Sequence, residues 1–215
     1  MTAVALRHGA AAEAIRRHRL IVILRRVGSL ERVVALIEEL ADAGARIFEV
    51  TFDDPAAADA LKASNERLAR RVDGPFLLGA GTIRTEDQLR AAQAAGAAFG
   101  VSPTFNRVLV AAAIAAGLPF IPGAATPTEV ETAWDAGATF VKLFPASTLG
   151  PSFIRELRGP MAEVETIPTG GISAGNAQQF LDAGAVAIGI GSALLNANRD
   201  QRRSLVAAVG AAPLR

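Results

Sequence analysis

Lys142 stands inside the run Phe-Val-Lys-Leu-Phe-Pro at 140–145, with apolar residues on both sides of it. Side chains alternate along a strand, so Phe140, Lys142 and Phe144 share one face and Val141 and Leu143 the other. Both faces are apolar. A lysine turned into such surroundings loses hydration, which disfavours its ammonium form and frees the lone pair that a Schiff-base nucleophile needs. The strand alone leaves a second reading open, a lysine ion-paired to a carboxylate or one whose amine snorkels past a rim. Glu49, in Phe-Glu-Val-Thr at 48–51, is the candidate partner. A carboxylate beside an imine-forming lysine can move the protons that carbinolamine formation, dehydration and enamine chemistry require. The plainer alternative is a salt bridge from Glu49 to Lys142 or Arg25, yet a buried pair is weak evidence for stability.

Two glycine-rich segments carry a different chemistry. Pro-Thr-Gly-Gly-Ile-Ser at 168–173 and Gly-Ile-Gly-Ser at 189–192 each follow an apolar run and are expected to open a helix. Free N–H groups there attract anions. Gly170 and Gly171 let a phosphate approach the backbone, and Ser192 offers a hydroxyl. Glycines that merely form tight turns would look the same; the two segments together are more specific than either alone. Gly-Ala-Gly-Thr at 79–82 repeats the logic, with Thr82 as a donor to a carboxylate or carbonyl oxygen. No metal site is expected: the two histidines, His8 and His18, both precede the first strand, and there is no cysteine. An all-carboxylate magnesium site stays possible, but Asp53 and Asp54 read more simply as the N-cap region of a helix starting at Pro55.

These residues need a scaffold, and a recurring phrase supplies it. Ala-rich helix, glycine, then apolar strand recurs around Gly44, Gly96, Gly117, Gly137 and Gly184. Glycine tolerates the left-handed conformation that ends a helix, and a continuous apolar run suits a parallel strand buried on both faces. The wider gaps between Gly44 and Gly96 and between Gly137 and Gly184 each leave room for one more strand, at 75–81 and 164–171. With 19–25 the count reaches eight. Eight parallel strands alternating with helices predict a single-domain (β/α)8 TIM barrel over 1–215 with an additional N-terminal helix, although an open doubly wound sheet shares most of the local pattern. In a barrel, function gathers at the C-terminal strand ends, which singles out Arg25, Glu49, Thr51, Thr82, Ser102, Pro103, Gly123, Lys142, 169–173 and 189–192. Strands two and six lie across such a barrel, so Glu49 and Lys142 can meet near its mouth.

Composition narrows the function classes. With 51% hydrophobic residues and a formal net charge of +1, neither disorder nor a nucleic-acid partner is expected. The absence of cysteine fits a reducing cytoplasm. Charges interrupt the apolar residues of 1–24, so no export signal is read. Prolines and glycines break the uncharged span 108–128, which reads as helix, turn and strand, with no membrane partner.

The segments FEVTF, GAGTI, VSPT, IPGAATPTE, VKLFPAS, GPSFIRELRGP, PTGGIS and GIGSALL together resemble the class I 2-keto-3-deoxy-6-phosphogluconate (KDPG) aldolase family, including 6-phosphogalactonate and 4-hydroxy-2-oxoglutarate enzymes. The similarity runs from about Ile15 to Leu195. It implies a (β/α)8 barrel, usually a homotrimer, that cleaves a phosphorylated keto acid to pyruvate and glyceraldehyde 3-phosphate without a cofactor. By that resemblance Lys142 forms the imine and Glu49 transfers protons. Thr82 contacts the pyruvate moiety, Gly170, Gly171 and Ser192 bind the distal phosphate, and Arg25 holds a substrate anion. Pro103 and Phe144 complete the substrate-binding set. One position departs: Asp53 stands where some members carry a carboxylate-binding arginine. A phosphosugar isomerase or epimerase, or a non-catalytic phosphometabolite binder, would use the same loops. The choice between gluconate and galactonate epimers stays open.

Overall fold

The five phrase glycines close their helices as expected. Gly44, Gly96, Gly117, Gly137 and Gly184 all have positive φ, from 70° to 108°. After each, the next residue's N–H reaches back to a carbonyl five positions earlier, for example Ala97 to Ala92 and Ala138 to Ala133. This paired bonding satisfies the last carbonyls of the helix and turns the chain into a strand. The structure, a computed structural model, describes residues 2–71 and 73–210.

The strands are β1 (Leu20–Leu24), β2 (Ile47–Thr51), β3 (Leu77–Gly81), β4 (Gly100–Val101), β5 (Phe120–Ile121), β6 (Gly123–Ala124), β7 (Val141–Leu143), β8 (Thr166–Pro168) and β9 (Ile188–Ile190). All pairings are parallel, in the orders β5-β4-β3-β2-β1-β9 and β6-β7-β8. The fifth predicted strand is thus two pieces, because Pro122 between them has no N–H to continue the ladder. Backbone bonds tie the two groups at both edges. Thr139 N donates to Phe120 O and Lys142 N to Pro122 O, each at 2.9 Å, while Val186 N reaches Thr166 O and Thr169 bridges Gly189.

The fold is α/β, with a parallel sheet that curls. Side-chain alternation sorts its two faces. Leu20, Val22, Leu24, Phe48 and Val50 join helix residues such as Ile37 and Leu61 in one core. Ile21, Ile23, Ile47, Val101, Ile121, Phe140 and Ile167, from both groups of strands, meet in a second core on the concave face. The expected N-terminal helix is two pieces, Ala3–Arg7 and Ala10–His18, separated at Gly9. Ala12 and Ile15 of the second piece plug the concave core. The helix after β2 begins at Ala57 rather than Pro55; Asp54 Oδ1 accepts from Ala56 N at 3.0 Å in the turn before it. The uncharged span 108–128 resolves into the helix Arg107–Ala115, β5 and β6. Among the described residues no helix is long and apolar enough to cross a membrane.

Candidate active site

Lys142 lies at the centre of β7 with 3% of its surface exposed. It faces the concave side, as its alternation with the buried Val141 and Leu143 requires. Burial lowers the pKa of its ammonium; Glu49 opposes that shift and Arg25 adds to it. The amine lies 5.2 Å from the centre of the Phe144 ring. Glu49, on β2 and 2% exposed, is pushed the other way: burial raises its carboxyl, Lys142 and Arg25 pull it down, and Asp53 raises it again. No ion pair joins Glu49 to Lys142 or Arg25 among the described residues, and Glu49 Oε1 is buried without a hydrogen-bond partner. The salt-bridge alternative is therefore not what the chain forms. Two ionisable groups feel each other, both are biased toward their neutral forms, and neither is neutralised by contact.

Gly81 makes room for this carboxylate. A Cβ there would fall 1.8 Å from Glu49 Oε1 and 2.5 Å from its Cδ. Gly79, one pleat deeper on the same strand face, makes room instead for the Phe99 ring, 2.3 Å from a would-be Cβ.

Above Lys142 opens a cavity of about 400 Å³. Of the residues singled out from sequence, Arg25, Lys142, Phe144, Thr169, Gly170, Gly171, Ile172, Gly189, Gly191 and Ser192 line it, while Glu49 is buried outside the lining. Thr82 is outside the lining but bound to it, since Arg25 Nη2 donates to Thr82 Oγ1 at 3.0 Å. Thr82 has φ 57°, a left-handed conformation that a β-branched residue rarely adopts. Pro103 is also outside; its carbonyl packs on Gly123, where a Cβ would come within 2.1 Å, and Gly123 is the register partner of Lys142. Arg26 and Leu195 line the cavity as well. The departure at Asp53 has a local answer: its Oδ2 pairs with Arg26 Nε at 3.1 Å.

The glycine loop after β8 is held open by its carbonyls. Ala146 N donates to Thr169 O at 2.8 Å, Ser147 N to Gly170 O at 2.9 Å, and Asn176 Nδ2 to Gly171 O at 2.9 Å. Gly170 and Gly171 have φ 91° and 77°. With the carbonyls committed, the N–H groups of Gly171 and Ile172 make no hydrogen bond among the described residues. Successive free N–H groups at a cavity wall form an anion nest. One expectation is corrected here. The 168–173 segment does not open a helix directly, because Asn176 intervenes as N-cap of Ala177–Asp182 and uses its Oδ1 to accept from Ser173 N at 2.8 Å. Ser192 does begin a helix, Ser192–Leu195. The sequence reading missed Asn176; the signal was an Asx residue three positions after Ser173.

Among solved structures, this fold is shared with KDPG aldolases. The KDPG aldolase from Legionella pneumophila, with pyruvate captured as a covalent carbinolamine intermediate, matches at 30% identity and a TM-score of 0.81, over 91% of this chain and 96% of that one. A 2-dehydro-3-deoxy-phosphogluconate aldolase from Treponema pallidum is 42% identical over 79% of this chain and 78% of its own length. A 2-dehydro-3-deoxy-6-phosphogalactonate aldolase from Escherichia coli is 30% identical over 86% and 88%. The model of the KDPG and KHG aldolase family matches residues 11–209, and the chain belongs to that family.

Proposed function

We propose that the protein is a class I aldolase cleaving 2-keto-3-deoxy-6-phosphogluconate to pyruvate and glyceraldehyde 3-phosphate. The observation that carries this reading is a buried, ion-pair-free Lys142 in the wall of a cavity whose rim carries arginines and free N–H groups. Lys142 attacks the C2 ketone and water leaves, giving an iminium that draws electrons from the C3–C4 bond. Glu49, directly or through water, takes the C4 hydroxyl proton as that bond breaks. Glyceraldehyde 3-phosphate departs, the enamine is protonated at C3 through the same carboxyl, and hydrolysis frees pyruvate. Covalent capture divides one hard carbanion step into easier ones. The iminium formed on Lys142 is the electron sink, so the reading assigns no cofactor.

Binding follows the charge distribution. Arg25, tethered to Thr82, receives the carboxylate end; Gly170, Gly171 and Ser192 receive the phosphate. The Phe144 ring shields the amine, and Pro103 buttresses Gly123 beside it. The scaffold is read as one (β/α)8 domain in which β5 and β6 are halves of a single strand, supported by the backbone bonds at both sheet edges. A cytoplasmic homotrimer completes the reading. Its support is the helix Arg107–Ala115, whose outer face presents exposed Val108, Ala111 and Ala115 where other helices present charge.

Sodium borohydride added with pyruvate tests the central claim. A pyruvate-derived mass on Lys142, absent from Lys142→Arg, is expected; a folded wild-type protein left unlabelled at saturating pyruvate would remove the aldolase in favour of an isomerase or a binder. The galactonate relative keeps a second substrate in view. Comparing kcat/KM for the two epimers decides between them, with the gluconate expected to be the better.

A further inference from the structure

A second cleft, of about 410 Å³, runs outward from the catalytic cavity and shares Arg25, Arg26 and Leu195 with it. Val27, Asn196 and the helices Leu30–Asp42 and Arg199–Gly210 complete its walls, the helices contributing Arg32, Glu39 and Arg202. Four guanidiniums thus face one carboxylate, in a chain whose formal net charge is only +1. The pairing is uneven. Glu39 Oε1 is committed to Arg202 Nη1 at 3.0 Å, and Asp53 to Arg26 at 3.1 Å. Arg202 is further fixed by its Nε bond to Leu194 O at 3.0 Å, so its position is set before any ligand arrives. Among the described residues Arg25 donates only to a neutral hydroxyl, and no ion pair engages the Arg32 side chain.

Two guanidiniums without an ion pair among the described residues, beside two paired ones, concentrate positive potential in one concave space. Arginine forks match phosphate oxygens two at a time. Neither the Gly170–Gly171 loop nor Ser192 borders this cleft, so a phosphate seated on them leaves it free. We propose that the cleft is a second anion site, taking a ligand with two linked or closely spaced phosphates, and that its occupancy competes for Arg25 and Arg26 with an anion in the catalytic cavity. Coupling of that kind is reciprocal: each ligand weakens the other by the same factor.

Inorganic pyrophosphate is the first probe, titrated calorimetrically into the full chain at low ionic strength. Arg32→Glu is the informative variant, because Arg32 is exposed, has no ion pair among the described residues and lines neither the Lys142 cavity nor the glycine loop. Wild-type protein should bind pyrophosphate, and the variant should bind it at least about tenfold more weakly, as expected for reversing a charge-assisted contact. Pyrophosphate should raise the KM of cleavage without lowering kcat in wild type, and this inhibition should shrink by a similar factor in the variant. A nucleoside diphosphate and a sugar bisphosphate, run beside it, separate the sources: the one whose Arg32-dependent binding is tightest identifies the ligand class. Equal pyrophosphate affinity or equal inhibition in Arg32→Glu would overturn the proposal and place all anion binding on the catalytic loop. Binding no stronger than sodium chloride of matched ionic strength would overturn it too. Because the calorimetry needs no turnover, the outcome stands whether or not the aldolase assignment survives.

Discussion

The two ends of the curled sheet treat charge in opposite ways. At the N-terminal end, Arg16 grips Glu165 through both carboxylate oxygens, with its Nε at 2.8 Å, and lies 5.1 Å from the Phe140 ring centre. Arg7 donates to the carbonyls of Trp134 and Ala138 and stacks 3.6 Å from the Trp134 ring centre. At the C-terminal end, among the described residues, Glu49 Oε1 has no hydrogen-bond partner and Lys142 no ion pair, and Arg25 is exposed while Thr82 is strained. The same residue types close the fold at one end and remain unsatisfied at the other. A buried ionisable group without a partner costs stability, so its presence at this end is the mark of a candidate functional site rather than of packing.

The sharpest way to break that contrast is within a single strand. Gly81→Ala puts a methyl where the Glu49 carboxyl sits, and a flexible carboxyl can swing aside at modest cost to the fold. The expected result is a near-normal Tm with kcat down by roughly 10²-fold or more, the scale of losing a positioned proton-transfer group. Gly79→Ala, two residues earlier, instead meets the Phe99 ring and should destabilise by about 1–3 kcal/mol through overpacking. If Gly81→Ala keeps full kcat, Glu49 does not need that position. A matching loss of stability in both variants would erase the difference between the mouth and the layer beneath it.

The N-terminal end predicts the converse. Arg7→Ala removes two hydrogen bonds and a stacking contact, and should cost about 2 kcal/mol of stability while leaving kcat/KM within about twofold. Thermal unfolding and steady-state rates on the same sample check this. A rate loss exceeding the stability loss would mean that the plug at this end is coupled to the site.

How far the sequence disclosed this arrangement depends on the range of each interaction. Helix ends were readable because glycine after an Ala-rich helix acts within five residues, and all five have the expected backbone. Lys142 was readable because its burial is dictated by its immediate neighbours on alternate faces. The splitting of the fifth strand at Pro122 was in principle local, but the apolar run around it masked the missing N–H. The reason for Gly81 was not readable, since it lies on a neighbouring strand, and neither was the Arg25–Thr82 tether, whose partners are 57 positions apart. Arg32 and Arg202 joined the cleft only through the packing of the first and last long helices, which no motif announces.

Asn176 tests whether the loop at the mouth is as finely set as its strained glycines imply. Asn176→Ala frees Ser173 N and Gly171 O, two bonds worth about 1 kcal/mol each. The KM for the phosphorylated substrate should rise about tenfold with kcat nearly unchanged, while an unphosphorylated keto-deoxy acid should be indifferent. Equal effects on both substrates would mean that the side chain supports the fold generally and does not shape the anion nest.

The smallest expected effect concerns the cost of the unpartnered carboxylate itself. Burial raises the Glu49 pKa, so the folded chain binds that proton more tightly than the unfolded chain. The stabilisation from this proton is complete below the ordinary glutamate value, near 4.5, and is lost as pH rises through the elevated folded value. Glu49→Gln is neutral throughout and escapes the loss. Its Tm advantage over wild type should therefore be absent at about pH 4 and grow toward neutrality, at the expense of turnover. Lys142 works in the opposite direction, because removing the neighbouring anion moves its folded pKa further below the unfolded value and subtracts from that advantage. A difference that stays flat with pH, or a variant less stable at neutrality, would mean that water or a counter-ion compensates Glu49 after all, and that the mouth is no more strained than the base.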